Sequence, residues 1–160
     1  MSKNKKTNAM RILDRLKIDY EEIVFSDDSF LTATEAADKL GHDPKSVYKT
    51  IVTISKTKEN YVFVIRGDKE IDLKKAAKSV EEKSISPIKV TNLKELTGYI
   101  KGGCSPIGMK KQFKTIVDED ALDNEFIYIS GGKRGVEIKI RPLDLKKAIN
   151  CEFKDIKDEN

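Results

Sequence analysis

Residues 126–140 constrain the fold more than any other stretch of the chain. Phe126-Ile127-Tyr128-Ile129-Ser130 runs through Gly131-Gly132-Lys133-Arg134-Gly135 into Val136-Glu137-Ile138-Lys139-Ile140, where apolar and polar residues alternate strictly. A period of two sends successive side chains to opposite faces, so this hairpin has one face for a core and one for solvent or a ligand. Four more strands are predicted from β-branched and aromatic runs: Ile18–Phe25, Val47–Ile54, Ile85–Val90 and Phe113–Val117. A fifth, Tyr61–Ile65, follows the polar segment Ser55–Asn60 and pairs with Val47–Ile54 as a second hairpin.

Short helices fall between these strands. Thr7 precedes a stripe of Met10, Leu13 and Leu16 that ends near Lys17. Thr32 and Glu35 form a capping-box pattern ahead of Ala33, Ala36, Ala37 and Leu40, closed by Gly41, so a helix is predicted within 29–40. Asp43-Pro44 starts one further helical turn. Asp72 caps 73–79, and Thr91 leads into Asn92–Leu96, stopped by Gly98. The five letters Asp-Leu-Lys-Lys-Ala at 72–76 return at 144–148, which reads as one way of starting an amphipathic helix used twice. Residues after Asp155 read as a frayed tail. Without long crossover helices, the pattern predicts a mixed α/β (α+β) single domain, 1–160, built on one strongly curved sheet with short helices.

Composition narrows the function. The 160 residues are 38% hydrophobic and 36% charged, with no apolar run of the roughly 18 residues a membrane helix needs and no apolar signal core after the lysine-rich start. A cytoplasmic protein without a membrane partner is the expectation. Two cysteines, Cys104 and Cys151, and one histidine, His42, make neither a zinc site nor a Ser-His-Asp triad, so no metal and no cofactor are expected. The net charge is only +4, so any nucleic-acid binding depends on where the lysines lie.

Lys101-Gly102-Gly103-Cys104-Ser105-Pro106-Ile107-Gly108 is the least ordinary segment, with three glycines and one proline in its last seven residues. Such a backbone offers amides to an anion or a carbonyl oxygen, and Lys110, Lys111 and Lys114 follow it. The same letters also describe a tight turn beside a solvated lysine face. Lys49 shares its strand parity with Val47, Ile51 and Thr53, so its amine points to a functional cleft if that face lines one; an edge lysine that deters aggregation is the alternative. Tyr20 and Phe30 suit a core or rim as well as a stacking platform. Cys104 and Ser105 lack a base, and His42 sits in the polar connection Gly41-His42-Asp43-Pro44. Ser130 and Glu137 face each other across the last hairpin, where polar residues are usually structural.

Thr7-Asn8-Ala9-Met10, Val47-Tyr48-Lys49-Thr50, Asp72-Leu73-Lys74-Lys75, Thr97-Gly98-Tyr99-Ile100, the Gly102–Gly108 loop and Ser130-Gly131-Gly132-Lys133-Arg134-Gly135, in this order, resemble the YbaK/EbsC family of Cys-tRNA(Pro) deacylases, itself similar to the editing domain inserted in bacterial prolyl-tRNA synthetases. The resemblance spans residues 7–156 and implies a curved, barrel-like mixed sheet flanked by short helices. It implies a trans-editing enzyme that cleaves the ester of mischarged Cys-tRNA(Pro), with Cys-tRNA(Cys) as a second candidate, assisted by the substrate's own thiol. It further implies Lys49 and the Gly102-Gly103 backbone as catalytic elements, and Tyr20, Phe30, Thr50, Ser105, Ser130 and Glu137 as substrate-binding residues. The family often has aspartate where this chain has Glu137, and commonly an aliphatic residue where it has Cys104. Lys101, Lys110, Lys111, Lys114, Lys133 and Arg134 would meet the tRNA, presented in a transient complex by prolyl-tRNA synthetase. The alternatives are a deacylase for another small residue such as alanine, and a non-catalytic RNA- or nucleotide-binding module.

Overall fold

The computed structural model describes residues 5–25 and 32–159. The chain enters through helix α1 (Asn8–Arg15), capped by the Thr7 hydroxyl, which accepts from the Met10 amide. Ala9, Met10 and Leu13 are buried, whereas Leu16 falls at the end of the helix and stays largely exposed. Strand β1 (Glu21–Val24) and helix α2 (Ala33–Leu40) follow. Both halves of the capping box form: Thr32 accepts from the Glu35 amide, and the Glu35 carboxylate accepts from the Thr32 amide. Such a cap contributes about 1 kcal/mol.

Asp43 caps a 3-10 turn, Pro44–Ser46, that delivers β2 (Tyr48–Ser55), and β3 (Asn60–Arg66) completes the hairpin. Next come α3 (Leu73–Ser79), β4 (Ile85–Pro87), α4 (Val90–Thr97), β5 (Lys114–Asp118), β6 (Ile127–Ser130), β7 (Val136–Ile140), α5 (Pro142–Ile149) and β8 (Glu152–Lys154). Strand β4 is shorter than the expected 85–90, because α4 starts at Val90. The two Asp-Leu-Lys-Lys-Ala stretches have different roles. Asp72 caps α3 by accepting from the Lys74 and Lys75 amides, whereas Asp144 is the third residue of α5, whose start is set by Pro142.

The strands form two sheets. One is antiparallel, in the order β1-β7-β6; the other is mixed, β4-β2-β3-β5-β8, with β5 parallel to both β3 and β8. The expectation of one barrel-like sheet is corrected: among the described residues there are two sheets, which meet through one parallel bridge, Val47 to Tyr128, and do not close. Parallel pairs do require crossovers, and here several short elements build each one in place of a long helix. The main core lies between the sheets and is lined by Ile127, Ile129, Ile138, Ile140, Leu13 and Leu145. Phe63, Ile116 and Ile156 centre a second cluster beneath α3.

Residues beyond Asp155 are not a frayed tail. Ile156 is fully buried, its amide donates to Asp118 Oδ1 (2.9 Å), and its carbonyl accepts from the Asp72 amide. Lys157 Nζ lies 3.1 Å from Asp118 Oδ2, which also accepts from the Asp120 amide. Asp118 is itself fully buried, so its carboxylate is the polar anchor for the last segment. Removing a buried carboxylate leaves its donors unmatched and costs about 3 kcal/mol or more. Asp118→Ala is therefore expected to lower the unfolding free energy by about 3 kcal/mol, measured by urea titration; a loss below about 1 kcal/mol would contradict the anchor.

Candidate active site

One cleft of about 230 Å³ opens where the two sheets meet. The start of β2 contributes Val47, Tyr48, Lys49 and Thr50, and the last hairpin contributes Ile129, Ser130, Val136 and Glu137. Phe25, Thr32, Ala33 and Ala36 close one side, and Lys101, Gly102 and Cys104 the other. The lysine of the second strand and the glycine loop of the middle thus border the same space.

The turn after β3 holds this wall together. The Gly67 amide donates to the Val47 carbonyl (2.8 Å), and Lys49 Nζ donates to the Gly67 carbonyl (3.4 Å). A Cβ at Gly67 would lie 2.5 Å from the Ala33 methyl, so α2 seats against bare backbone and brings its alanine face to the cleft. Lys49 is also 3.7 Å from the exposed Glu70 carboxylate, a weak pair that leaves the amine available to a ligand.

On the opposite wall, a turn from Ile100 is closed by the Gly103 amide, which donates to the Ile100 carbonyl (2.9 Å). Gly102 occupies the left-handed region there (φ 87°), a conformation that favours glycine. Gly103 presses on the last hairpin: a Cβ would lie 2.8 Å from Lys133 Cα and 2.9 Å from the Arg134 amide nitrogen. Arg134 Nε donates to the Lys101 carbonyl (2.9 Å), which makes Arg134 a brace for the loop. The expectation that Gly102 and Gly103 both offer amides is corrected accordingly. The Gly103 amide is consumed within the turn, and that of Gly102 donates to no group among the described residues.

Three cleft residues have perturbed chemistry. Burial pushes the Cys104 thiol up to about 12, so it is protonated near neutrality and a poor nucleophile. Burial likewise pushes the Glu137 carboxyl up to about 7. Its Oε1 lies 3.3 Å from His42 Nε2, and the His42 ring stacks on Tyr128 at 3.7 Å. The polar face of β7 is therefore covered at this point. Tyr48 donates to Asp120 (2.7 Å), and burial with that bond raises its phenol far above its ordinary range.

Several residues named from the sequence lie elsewhere. Tyr20 borders a separate depression with Phe126, Lys139 and Arg141. The register explains this: β1 pairs Val24 with Val136, so the cleft end of β1 carries Phe25, and Tyr20 lies at the other end. Phe30 lies outside the described residues. Ser105 is fully buried, and its hydroxyl accepts from the Ile107 amide within the loop (3.2 Å). Ser130 lines the cleft while its hydroxyl accepts from the Gly132 amide (3.2 Å). Lys101 and Lys133 are exposed beside the loop, and Lys110 and Lys111 follow it. Lys114 pairs with Tyr61, four residues along β3 from the partner of Lys49, or about 13 Å. Phe25 and His42 were not legible as site residues, since the signals at both positions described local structure.

A cleft with a lysine on one wall, a fixed glycine turn on the other and a buried carboxyl in its lining marks the site of this α+β domain. The sequence matches the model of the aminoacyl-tRNA editing domain over residues 28–148. It is 41% identical over 152 residues to EbsC of Enterococcus faecalis, whose name makes it a candidate Cys-tRNA(Pro)/Cys-tRNA(Cys) deacylase; the match covers 94% of this chain and 93% of that protein. It is 29% identical to proline–tRNA ligase of Lactobacillus acidophilus, over 81% of this chain but only 22% of the ligase. A solved structure described as a candidate trans-editing enzyme for prolyl-tRNA synthetase superposes with a TM-score of 0.79 at 24% identity, covering 96% of this chain and 99% of that one, which shows a shared fold. The chain belongs to the aminoacyl-tRNA editing domain family and is an aminoacyl-tRNA deacylase.

Because Gly103 touches backbone, an added methyl must displace one turn from the other. Gly103→Ala is expected to cost about 1–3 kcal/mol of stability in thermal unfolding and to lower deacylation at temperatures where the variant stays folded.

Proposed function

We propose that this chain is a free-standing editing factor that releases cysteine from Cys-tRNA(Pro), and from Cys-tRNA(Cys) as a further substrate. The observation that carries this reading is the meeting of Lys49 and the Lys101–Gly103 turn at one cleft, with the name and near full-length similarity of EbsC supporting the substrate. Such a factor answers a physical need, because a prolyl pocket cannot firmly reject a residue of similar size and a second site must remove it.

In this reading Lys49 orients the terminal nucleotide or the ester, Thr50 and Ser130 line the pocket, and the Gly102 amide steadies the carbonyl oxygen as charge develops. The cysteinyl sulfur attacks its own ester carbonyl. A carbon–sulfur bond forms, the ester carbon–oxygen bond breaks, and the thiol proton ends on the ribose oxygen of the released tRNA. The protonated Cys104 thiol fits this scheme, since it competes poorly as a nucleophile. Lys101 and Lys133 meet the acceptor end, with Lys110 and Lys111 beyond them. A net charge of +4 is modest for holding tRNA alone, which favours transient presentation by prolyl-tRNA synthetase.

A specific observation favours a second reading. A carboxyl raised to about 7 in the cleft suits a general base, so Glu137 would activate water and the enzyme would hydrolyse esters lacking a thiol, alanine on tRNA(Pro) among them. Single-turnover release from Cys-, S-methyl-Cys- and Ala-tRNA(Pro) separates the two. The thiol-assisted route expects release from the first alone; equal release from all three would reject it. Lys49→Ala is expected to reduce kcat/KM by about 100-fold or more, while Cys104→Ala stays within about twofold of the parent. The reverse pattern would overturn the assignment.

A further inference from the structure

His42 has no part in the scheme above, yet its surroundings are those of a working group. Gly41 ends α2, and the His42 amide donates to the Ala37 carbonyl (2.9 Å), so the chain folds back and turns the imidazole inward. The ring lies nearly parallel to Tyr128 of β6, with 13° between the planes, and its side chain is 14% exposed. Glu137 Oε1, 3.3 Å away on β7, is 7% exposed on a residue that lines the cleft. Among the described residues, neither His42 Nε2 nor Glu137 Oε1 makes a hydrogen bond, to the other or to any further group. Two buried polar atoms thus face each other with no hydrogen bond among the described residues, and one of them belongs to a residue that lines the cleft.

We propose that His42 is a positioning residue for the editing reaction: it holds the Glu137 carboxyl toward the cleft and exchanges one proton with it, so that the carboxylate forms when the cationic amine of an aminoacyl ester arrives. The pair carries one proton in either state. Without substrate, the carboxylic acid donates its O–H to the Nε2 lone pair. With an ammonium in the cleft, the proton crosses to Nε2 and the imidazolium donates back, and nothing is lost to solvent. Burial favours the first state, by raising Glu137 and lowering His42, and Lys139 on the same strand lowers His42 further. The other charged neighbours do not replace this pairing. Asp43 is committed to the Lys45 amide, and Lys49 stands on the opposing wall beside Gly67 and Glu70.

The role in catalysis rests on the deacylase reading, but the pairing does not, so two readouts are needed. His42 is the chain's one histidine, which makes its imidazole nitrogen resonances unambiguous in an NMR titration. In Glu137→Gln the imidazole midpoint is expected to rise by at least about half a pH unit, because the carboxylic O–H that favours the neutral ring is replaced by a weaker amide donor; a smaller change, or a fall, overturns the pairing. In deacylation of Cys-tRNA(Pro), His42→Phe keeps the ring stack but removes the proton partner. The inflection of kcat/KM near neutral pH is then expected to move up by at least about half a unit, since a carboxyl left alone in the cleft stays protonated longer. His42→Gln is expected to recover rate at high pH without restoring the parent inflection. An inflection that stays in place in His42→Phe overturns the proposal. If the parent protein releases no amino acid, the deacylase reading fails, and the NMR titration still decides whether the two groups share a proton.

Discussion

Everything at the cleft depends on one contact between two pieces of bare backbone. Gly103 lies so close to Lys133 and Arg134 that no side chain fits between them, and the Arg134 guanidinium fastens the arrangement through the Lys101 carbonyl. One of these turns leaves the region of α4 and the other joins β6 to β7, so the contact fixes the loop against the antiparallel sheet. The Val47–Tyr128 bridge fixes the mixed sheet to that same sheet. Between the two fastenings lies the space in which Lys49 and Gly102 face a ligand. Preorganised donors act by being held in place before charge develops, and bare backbone held on both sides supplies that stiffness.

The charges of the site are arranged economically. An amine that one carbonyl and one exposed carboxylate hold only loosely can change partner without leaving a buried charge behind. A thiol that burial keeps protonated adds volume and no reactivity. The carboxyl of Glu137 is the exception, because burial works against its charge and the stacked imidazole lies 3.3 Å from it.

Much of the fold was legible because local signals agreed with the tertiary result. Thr7, Thr32, Asp43 and Asp72 all act as the caps their types suggest, and the alternation of 136–140 became a buried strand. The failures share a cause, which is information that lies outside any local window. Ile156 looks like part of a polar tail until Asp118 is seen beneath it, thirty-eight residues back in the chain. Asp144 repeats the letters around Asp72 but follows a proline that has already started its helix. At the site, Lys49 and the glycine turn were found through residue type and family resemblance. His42 was hidden by a position that suits any polar turn residue, and Tyr20 was placed wrongly relative to the cleft because strand register cannot be read from one strand.

The two sheets draw their strands from the whole chain. The antiparallel one pairs residues 21–24 with residues 127–140, and the mixed one threads 48–66 and 85–87 to 114–118 and 152–154. Neither sheet is complete within one half of the sequence: the β2, β3 and β4 strands and the β6–β7 hairpin are local, but β1, β5 and β8 join them only across long stretches of chain. Assembly must close long loops before the parallel pairings are made, which places this domain among slow folders whose loss of order is all-or-none.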